Sequence, residues 1–517
     1  MNILRVRRRV FVGIAVLAFG FLAGALPAGA ATSQGSNGKG TLNVVGSFNF
    51  PTLDPSLATA STGSGQPFFF AIYDSLFKLN GQGQTIPELA TGYKISKNGL
   101  TVTLNLRKGV KFSDGTPFTS KAVEFNLQRD IANSCTCEGY LTNITGYATP
   151  STTKLVLTLS APYAPLIAAL TNSAAAYIGS PTAISTMGAT AFGQNPVGAG
   201  PFVVSSNNPQ VVLTVARNSK YWHKSAVRLS TITFTNIATT STQLADLEAG
   251  QAQMMISADP TSVTQAKETN VIKVLTTSAT NWYALQFNTL TAPFNNINAR
   301  EAVEYAINPK AISTAVTGGL YTPNQSMWGS GMEFHWGTTT ANYHVYDPTK
   351  AAALVATLPG GKLSFSIFGV SNTAIYEEQM QAMQQELGDV GITMNILNYS
   401  HAVADTDDEA GNFQSILANY GGYSDNGITS STFLVYPSTF GLGDNDATQN
   451  KLVAEANGTS VPSKRLSYFK QLSEYLNQQS YWDPLFTFST YDLVSSNVDG
   501  YIKSPLLYLD SAYLGKQ

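Results

Sequence analysis

Two periodicities alternate along this chain, and together they restrict it to a mixed fold. Thr101 to Arg107 puts Val102, Leu104 and Leu106 on one face and Thr101, Thr103, Asn105 and Arg107 on the other. That is the two-residue repeat of a half-buried strand. Lys154 to Ser160 repeats it with Leu155, Leu157 and Leu159, while Leu42 to Val45 and Val211 to Val215 read as further strands. Helical stripes lie between and beyond them. Val123, Leu127 and Ile131 recur within Ser120–Ile131. Met380, Met383, Leu387 and Val390 recur within Ile375–Val390, stopped by Gly391. Leu466, Phe469, Leu472 and Leu476 recur within Pro462–Gln478. Stripes at this spacing are core faces, not cofactor boxes. Strands interleaved with helices give α/β domains rather than a sandwich or a bundle. The 517 residues suggest about three domains at roughly 150 residues each. No internal repeat is visible.

The apolar fraction of 43% can fill sizeable cores, which excludes global disorder. Only 12% of residues are charged, against about 25% in a typical soluble domain. Thirty basic and 32 acidic residues leave a formal charge of −2, so no strongly basic nucleic-acid-binding surface is expected. Ser, Thr, Asn, Gln and 43 glycines supply the polarity instead. A neutral polar surface of this kind is more usual outside the cytoplasm.

The N-terminus fits that compartment. Arg5, Arg7, Arg8 and Arg9 precede an apolar run from Val10 to Leu26, and Ala28-Gly29-Ala30 offers a small-x-small cleavage site. Residues 1–30 are therefore read as a secretory signal peptide. The apolar run is shorter than the roughly 20 residues of a membrane span. Removing the four arginines leaves 26 basic against 32 acidic residues, a net of −6. Arg8-Arg9 loosely fits a twin-arginine export signal, with Arg7 where Ser or Thr is usual, so the export route stays open. No Cys near the cleavage site could accept a lipid, and the protein is expected free in the periplasm or secreted. Residues 31–40 form a small, polar, flexible leader. Its Gly38-Lys39 pair lacks the spacing and following Ser/Thr of a phosphate loop.

Cys135 and Cys137 are the only cysteines. An exported chain can oxidise them, although a Cys-x-Cys ring is small and usually strained. They read as a redox-labile loop pair whose oxidation state is open. The four histidines, His223, His335, His344 and His401, show no metal-ligand spacing. His401 lies near Asp405, Asp407, Asp408 and Glu409, which read as a solvated acidic loop. Neither a G-x-S-x-G elbow nor an H-E-x-x-H motif is present, so no enzyme activity, metal or cofactor is expected.

Several ordered blocks carry a resemblance. PELATGYKISKNGLTVTLNLRKGVKFSDGTPFTSKAVEFNLQRD, Pro87 to Asp130, is the most distinctive. LDP at Leu53–Pro55 and YDSLF at Tyr73–Phe77 precede it. NPVGAGPFVV at Asn195–Val204, RNSKYW at Arg217–Trp222, LADLEAGQAQMM at Leu244–Met255 and NWYALQFNTLTAPFNNINAREAVEYAINPKAI at Asn281–Ile312 follow. Together they resemble the family 5 extracellular solute-binding proteins, the oligopeptide-, dipeptide- and nickel-binding components of ABC importers. Physical sense accompanies the blocks. Ser113 to Pro117 carries turn residues, Gly198 and Gly200 with Pro201 suit a tight turn, and Arg300 and Glu301 open a helix with Val303 and Ile307 on its core face.

The resemblance implies an α/β two-lobed clamshell of the class II periplasmic-binding type, with an extra subdomain inserted in lobe I. Lobe I would hold residues 41–75, 198–283 and 484–517, the inserted subdomain 76–197, and lobe II 284–483. Crossings near Trp282–Phe287 and Trp482–Phe486 would form the hinge. It also implies capture of a peptide or similar small polar solute and delivery to ABC permease subunits by the closed, monomeric form. A metal chelate or an oligosaccharide as cargo, and a secreted chaperone or sensor role, remain alternatives.

The resemblance also suggests site residues. Phe48 and Asn49 follow the first strand, and Ser61 and Thr62 match a ligand-near loop. Trp282 sits at the crossover. In the family's amine-binding block the first carboxylate falls here on Gly422, leaving Asp425 flanked by Tyr420 and Tyr423. The lost carboxylate favours a neutral or weakly charged cargo.

Overall fold

A computed structural model describes residues 40–48, 50–58, 65–370, 373–421, 423, 425–435, 446–504 and 506–515, without the side chains of residues 401, 402, 405, 409 and 503. The segment read as signal peptide and residues 31–39 of the leader, together with Asn49, Ser61, Thr62 and Gly422, lie outside the described residues.

Three sheets organise the chain. A seven-stranded sheet runs in the order Ile272–Thr276, Tyr491–Ser495, Met254–Met255, Thr41–Gly46, Thr231–Asn236, Val212–Arg217 and Phe202–Asn208. Thr41–Gly46 lies parallel to both neighbours, pairing Val44 with Phe234 on one side and with Met254 on the other. A six-stranded sheet runs in the order Thr322–Pro323, Trp482–Phe488, Asn281–Phe287, Ser415–Tyr420, Leu363–Gly369 and Ile392–Ile396. Its last three strands are mutually parallel. The third sheet is antiparallel, Ala90–Ile95, Thr101–Leu106, Lys154–Leu159 and Ile144–Ser151. It lies in the segment between the helix Gln66–Tyr73 and the strand Phe202–Asn208.

Each sheet carries its own core. Trp282, Leu285, Val303, Ile367, Met383, Ile416, Phe469 and Leu485 fill the core of the six-stranded half. Phe48, Phe68, Phe234, Val215 and Val494 fill that of the seven-stranded half. Leu104, Phe112, Val123, Leu127 and Leu157 fill the inserted one. The strands and helices read from periodicity appear within a residue or two: Thr101–Leu106, Lys154–Leu159, Ser120–Ala132, Ala374–Asp389 and Pro462–Gln479. Their ends have physical causes. Thr119 Oγ1 accepts from Ala122 N–H at 3.3 Å, capping one helix, and Gly391, at φ +80°, follows the end of another.

One reading gains a physical reason and one needs correcting. Gly198 and Gly200 adopt no positive φ. They allow close packing, since a Cβ on Gly198 would sit 2.2 Å from Ile72 O and one on Gly200 2.5 Å from Ala71 O. The acidic stretch after His401 is a helix, His401–Ala410, and not a solvated loop. Asp408 within it is buried and accepts from Tyr420 Oη at 2.6 Å.

The two larger sheets are connected by two short segments, Thr277–Thr280 and Ser489–Thr490. The hinge expected at Trp282–Phe287 and Trp482–Phe486 is thus displaced outward, because both aromatic stretches are inner strands of the six-stranded sheet. The two connections are laced together. Thr277 N–H donates to Thr490 O at 3.0 Å, Thr277 Oγ1 donates to the same oxygen at 3.1 Å, and Thr490 N–H donates to Thr277 Oγ1 at 3.0 Å.

The inserted segment also reaches the second lobe. Tyr140 Oη and Thr432 Oγ1 are 2.7 Å apart, Tyr163 Oη donates to Ser431 Oγ at 3.3 Å, and Ala164 N–H donates to Asn457 O at 2.8 Å. Cys135 and Cys137 are joined in a disulfide just before the short helix that carries Tyr140. Among the described residues, no helix is long and apolar enough to cross a membrane.

Candidate functional site

A cavity of about 960 Å³ lies between the two larger sheets. Its position follows from topology. In open α/β sheets, ligands bind outside the carboxyl ends of the parallel strands. Here Ser47 follows Thr41–Gly46, Ala238–Ser241 follow Thr231–Asn236, and Ile256–Ser262 follow Met254–Met255. From the opposite sheet come Thr373, Ile375 and Glu378, beyond Leu363–Gly369, and Asn419 near the end of Ser415–Tyr420. The connecting segments supply Thr277, Thr280, Asn281, Ser489 and Thr490.

The lining is mostly hydroxyl and amide, with Tyr321 and Phe488 as apolar surfaces. Thr239 and Thr373 begin helices without capping them by side chain. Backbone N–H groups of both first turns are therefore open to an acceptor. Asp259 caps its own helix, Oδ1 accepting from Ser262 N–H at 2.8 Å and Oδ2 from Ser262 Oγ at 3.1 Å. Asp492 is buried and lines the cavity. Its Oδ1 accepts from Ser257 N–H at 3.0 Å. Burial pushes the Asp492 carboxyl up to about 6. Among the described residues the lining includes no Lys, Arg or His.

The expected site residues fall mainly outside this cavity. Phe48 is buried against Phe50, Phe68 and Phe234, with ring centroids 6.0–6.4 Å away. Trp282 is fully buried against Tyr420, Phe433 and Trp482. Tyr420 stacks on Phe433 at 4.1 Å. In each case the preceding residue, Ser47, Asn281 or Asn419, lines the cavity instead. Successive residues of an extended chain face opposite ways, so a one-residue difference exchanges cavity for core.

Tyr423 sets its ring edge-on to Tyr140 at 6.3 Å, at the seam with the inserted segment. Asp425 is buried and already paired. Arg465 meets its two oxygens at 3.0 and 2.8 Å, and Gly427 N–H donates to Oδ1 at 2.6 Å. It is a helix cap and an ion-pair partner, not an open amine acceptor. The residues that sequence reasoning missed, Asp492, Ser257, Glu378 and Thr239, are small or polar and adjoin strand ends. Parallel pairing singles out the strand ends beside Ser257 and Thr239, whereas Asp492 lies in a strand antiparallel to both its neighbours.

For metals, Asp130, Cys135 and Cys137 bring three ligand atoms within 4.8 Å of one another. The two sulfurs are bonded to each other. His344 instead meets Glu304, His335 Nδ1 lies 3.0 Å from Trp328 O, and His223 stacks on Trp222 at 5.1 Å.

The family described as bacterial extracellular solute-binding proteins, family 5 middle, matches residues 84–441. A glutathione-binding protein GsiB of Shigella flexneri serotype 5b (strain 8401) is 28% identical over 480 residues, covering 90% of this chain and 92% of that protein. Two solved structures share the fold. One is a dipeptide-binding protein from Pseudoalteromonas sp. SM9913 in complex with Met-Leu. Its TM-score is 0.81 at 21% identity, over 92% of this chain and 100% of that one. The other is the periplasmic binding protein DppA from Helicobacter pylori in complex with the peptide STSA. Its TM-score is 0.80 at 22% identity, over 93% and 99%. The two-lobed architecture, the cavity between the lobes and a family match over more than half the sequence agree: this chain belongs to the family 5 bacterial extracellular solute-binding proteins.

Proposed function

We propose that this protein captures a peptide-sized polar solute between its lobes outside the cytoplasm and delivers it to the membrane subunits of an ABC importer. One observation carries this reading: a cavity of about 960 Å³ is lined from both lobes and floored by the two segments that connect them. A solute touching both walls favours the closed arrangement by its differential affinity for it. The volume lies at the upper end of the roughly 300–1,000 Å³ of small-molecule sites. The peptide, dipeptide and glutathione ligands named for its relatives support a peptide-like cargo. The chain acts as a monomer and turns nothing over, and its leader is removed on export.

Mass spectrometry of solute released from the purified, folded protein, followed by calorimetry with that compound, tests the reading. One saturable site and unchanged solute after incubation are expected. Hydrolysis of the solute, or uptake unaffected by deletion of the gene, would overturn it.

A further inference from the structure

The cavity contains a buried carboxylate that lacks a cationic partner. Asp130 and Asp483 are also buried without an ion pair among the described residues, but neither lines the cavity, and several other acids are neutralised. Asp54 pairs with Arg129, Asp425 with Arg465 at 2.8 Å, and Asp74, Glu88 and Asp510 share Lys78 at 3.1–3.3 Å. Among the described residues Asp492 forms no ion pair, although it is only 3% exposed, and it lines the cavity. An uncompensated buried carboxylate is costly, which is why such groups are ordinarily paired. The lining adds two more acids, Asp259 and Glu378, and no basic side chain among the described residues.

Resting on the solute-binding reading above, we propose that Asp492 receives an ammonium group of the solute, so that the site selects cationic or zwitterionic amines and rejects anions that lack one. The position suits the role. Ser257 N–H fixes Oδ1 at 3.0 Å, which orients the carboxylate and leaves Oδ2 for a ligand donor. Tyr491–Ser495 begins directly after the connecting segment Ser489–Thr490, so the carboxylate sits where closure brings both walls together. A zwitterion's own carboxylate has partners too, in the open first turns after Thr239 and Thr373. Asp425, where the sequence suggested an amine acceptor, is held by Arg465.

The environment of Asp492 predicts a simple pH dependence. Met254–Met255 beside it contributes no titratable group. Lys273 on the other neighbouring strand is directed to Asp499 at 2.8 Å and to Val498 O at 3.0 Å. Tyr491 precedes it, Asp259 begins the adjacent helix, and Glu378 faces it from the opposite wall. Binding needs the ionised carboxylate, and protons occupy it as pH falls through about 6.

The test is calorimetry at pH 7.5 with Met-Leu, Met-Leu amide and N-acetyl-Met-Leu, on the wild type freed of solute and on Asp492→Asn. The two amine-bearing dipeptide probes are expected to bind, and N-acetylation to weaken binding by about 30-fold, the worth of a charge-assisted hydrogen bond. Asp492→Asn should bind free and acetylated forms alike. Affinity of the wild type for Met-Leu amide should fall between pH 7 and 5, and that of the variant should not. Equal binding of acetylated and free dipeptide by the wild type, or full affinity in Asp492→Asn, would each overturn the amine assignment while leaving solute capture intact. Loss of solute capture itself is read separately, from the absence of any released or bound compound.

Discussion

Asp492→Asn should make the ligand-free protein more stable, and the size of the gain can be worked from its surroundings. Burial moves the carboxyl from 3.8 to about 6. At about 1.4 kcal/mol per tenfold change in proton affinity, ionising Asp492 in the folded state costs about 3 kcal/mol more than in the unfolded chain. The sign follows from the raised value. Below the unfolded value the group is protonated in both states and contributes nothing. As pH rises through the window to about 6, the folded state loses stability relative to the unfolded one. An Asn keeps the acceptor for Ser257 N–H and never ionises. Urea unfolding of both proteins, freed of solute, should therefore show a gap of only about 0.5 kcal/mol near pH 4 and one approaching 3 kcal/mol by pH 7 or 8. A gap of equal size at pH 4 and pH 8 would refute the electrostatic origin. A less stable variant at pH 8 would show that the hydrogen bond to the charged form outweighs desolvation. Retention of such a cost at a cavity wall is expected where binding requires the charge.

Four further outcomes can be checked. Arg465→Ala leaves Asp425 buried and unpaired and should cost about 3–5 kcal/mol in urea unfolding; Asp425→Ala leaves Arg465 the more exposed Glu333 at 3.6 Å and should cost less; neither should weaken solute binding by the folded fraction. Affinity loss at unchanged stability would return Asp425 to the binding site. Lys78→Met strips the cation shared by Asp74, Glu88 and Asp510 and should cost a similar amount at pH 8. That deficit should shrink at pH 5, where Glu88, its carboxyl pushed up to about 8 by burial, is protonated, as monitored by the same unfolding assay. Reduction of Cys135–Cys137 opens a three-residue ring and should cost only about 1.5 kcal/mol by loop entropy, read from melting with and without a phosphine reductant. Tyr140→Phe removes a 2.7 Å contact between the inserted segment and the second lobe. At about 1 kcal/mol for a neutral hydrogen bond, solute affinity should weaken about fivefold, with a larger radius of gyration in small-angle scattering. Unchanged affinity would mean that the contact persists in the open form.

The elements were legible in the sequence, but the faces they present to the cavity were not. The stripe Met380, Met383 and Leu387 marks a real helix with a buried face, because the helical period survives any tertiary context. Choosing aromatic residues as ligand contacts failed for Phe48, Trp282 and Tyr420. Large rings bury more area than hydroxyl or amide side chains and so went to the core. The neighbouring Ser47, Asn281 and Asn419 faced the cavity. The connections between lobes were missed for a related reason. Thr277–Thr280 and Ser489–Thr490 are short, polar and compositionally ordinary, whereas the aromatic strands beside them stand out. Asp492 had no sequence signal of its own, since its isolation from cations depends on residues far away in the chain.

The threonine lacing of the two connecting segments has a consequence for affinity. Two independent strings would let the lobes swing, twist and slide against each other. Cross-bonded at Thr277 and Thr490, they behave as one short ribbon, which bends easily about a single axis and resists the other motions. The empty protein then surrenders little rotational freedom when it shuts on a solute. More of the contact free energy therefore reaches the measured affinity, and a cavity without a strong charge clamp on both walls can still hold its cargo.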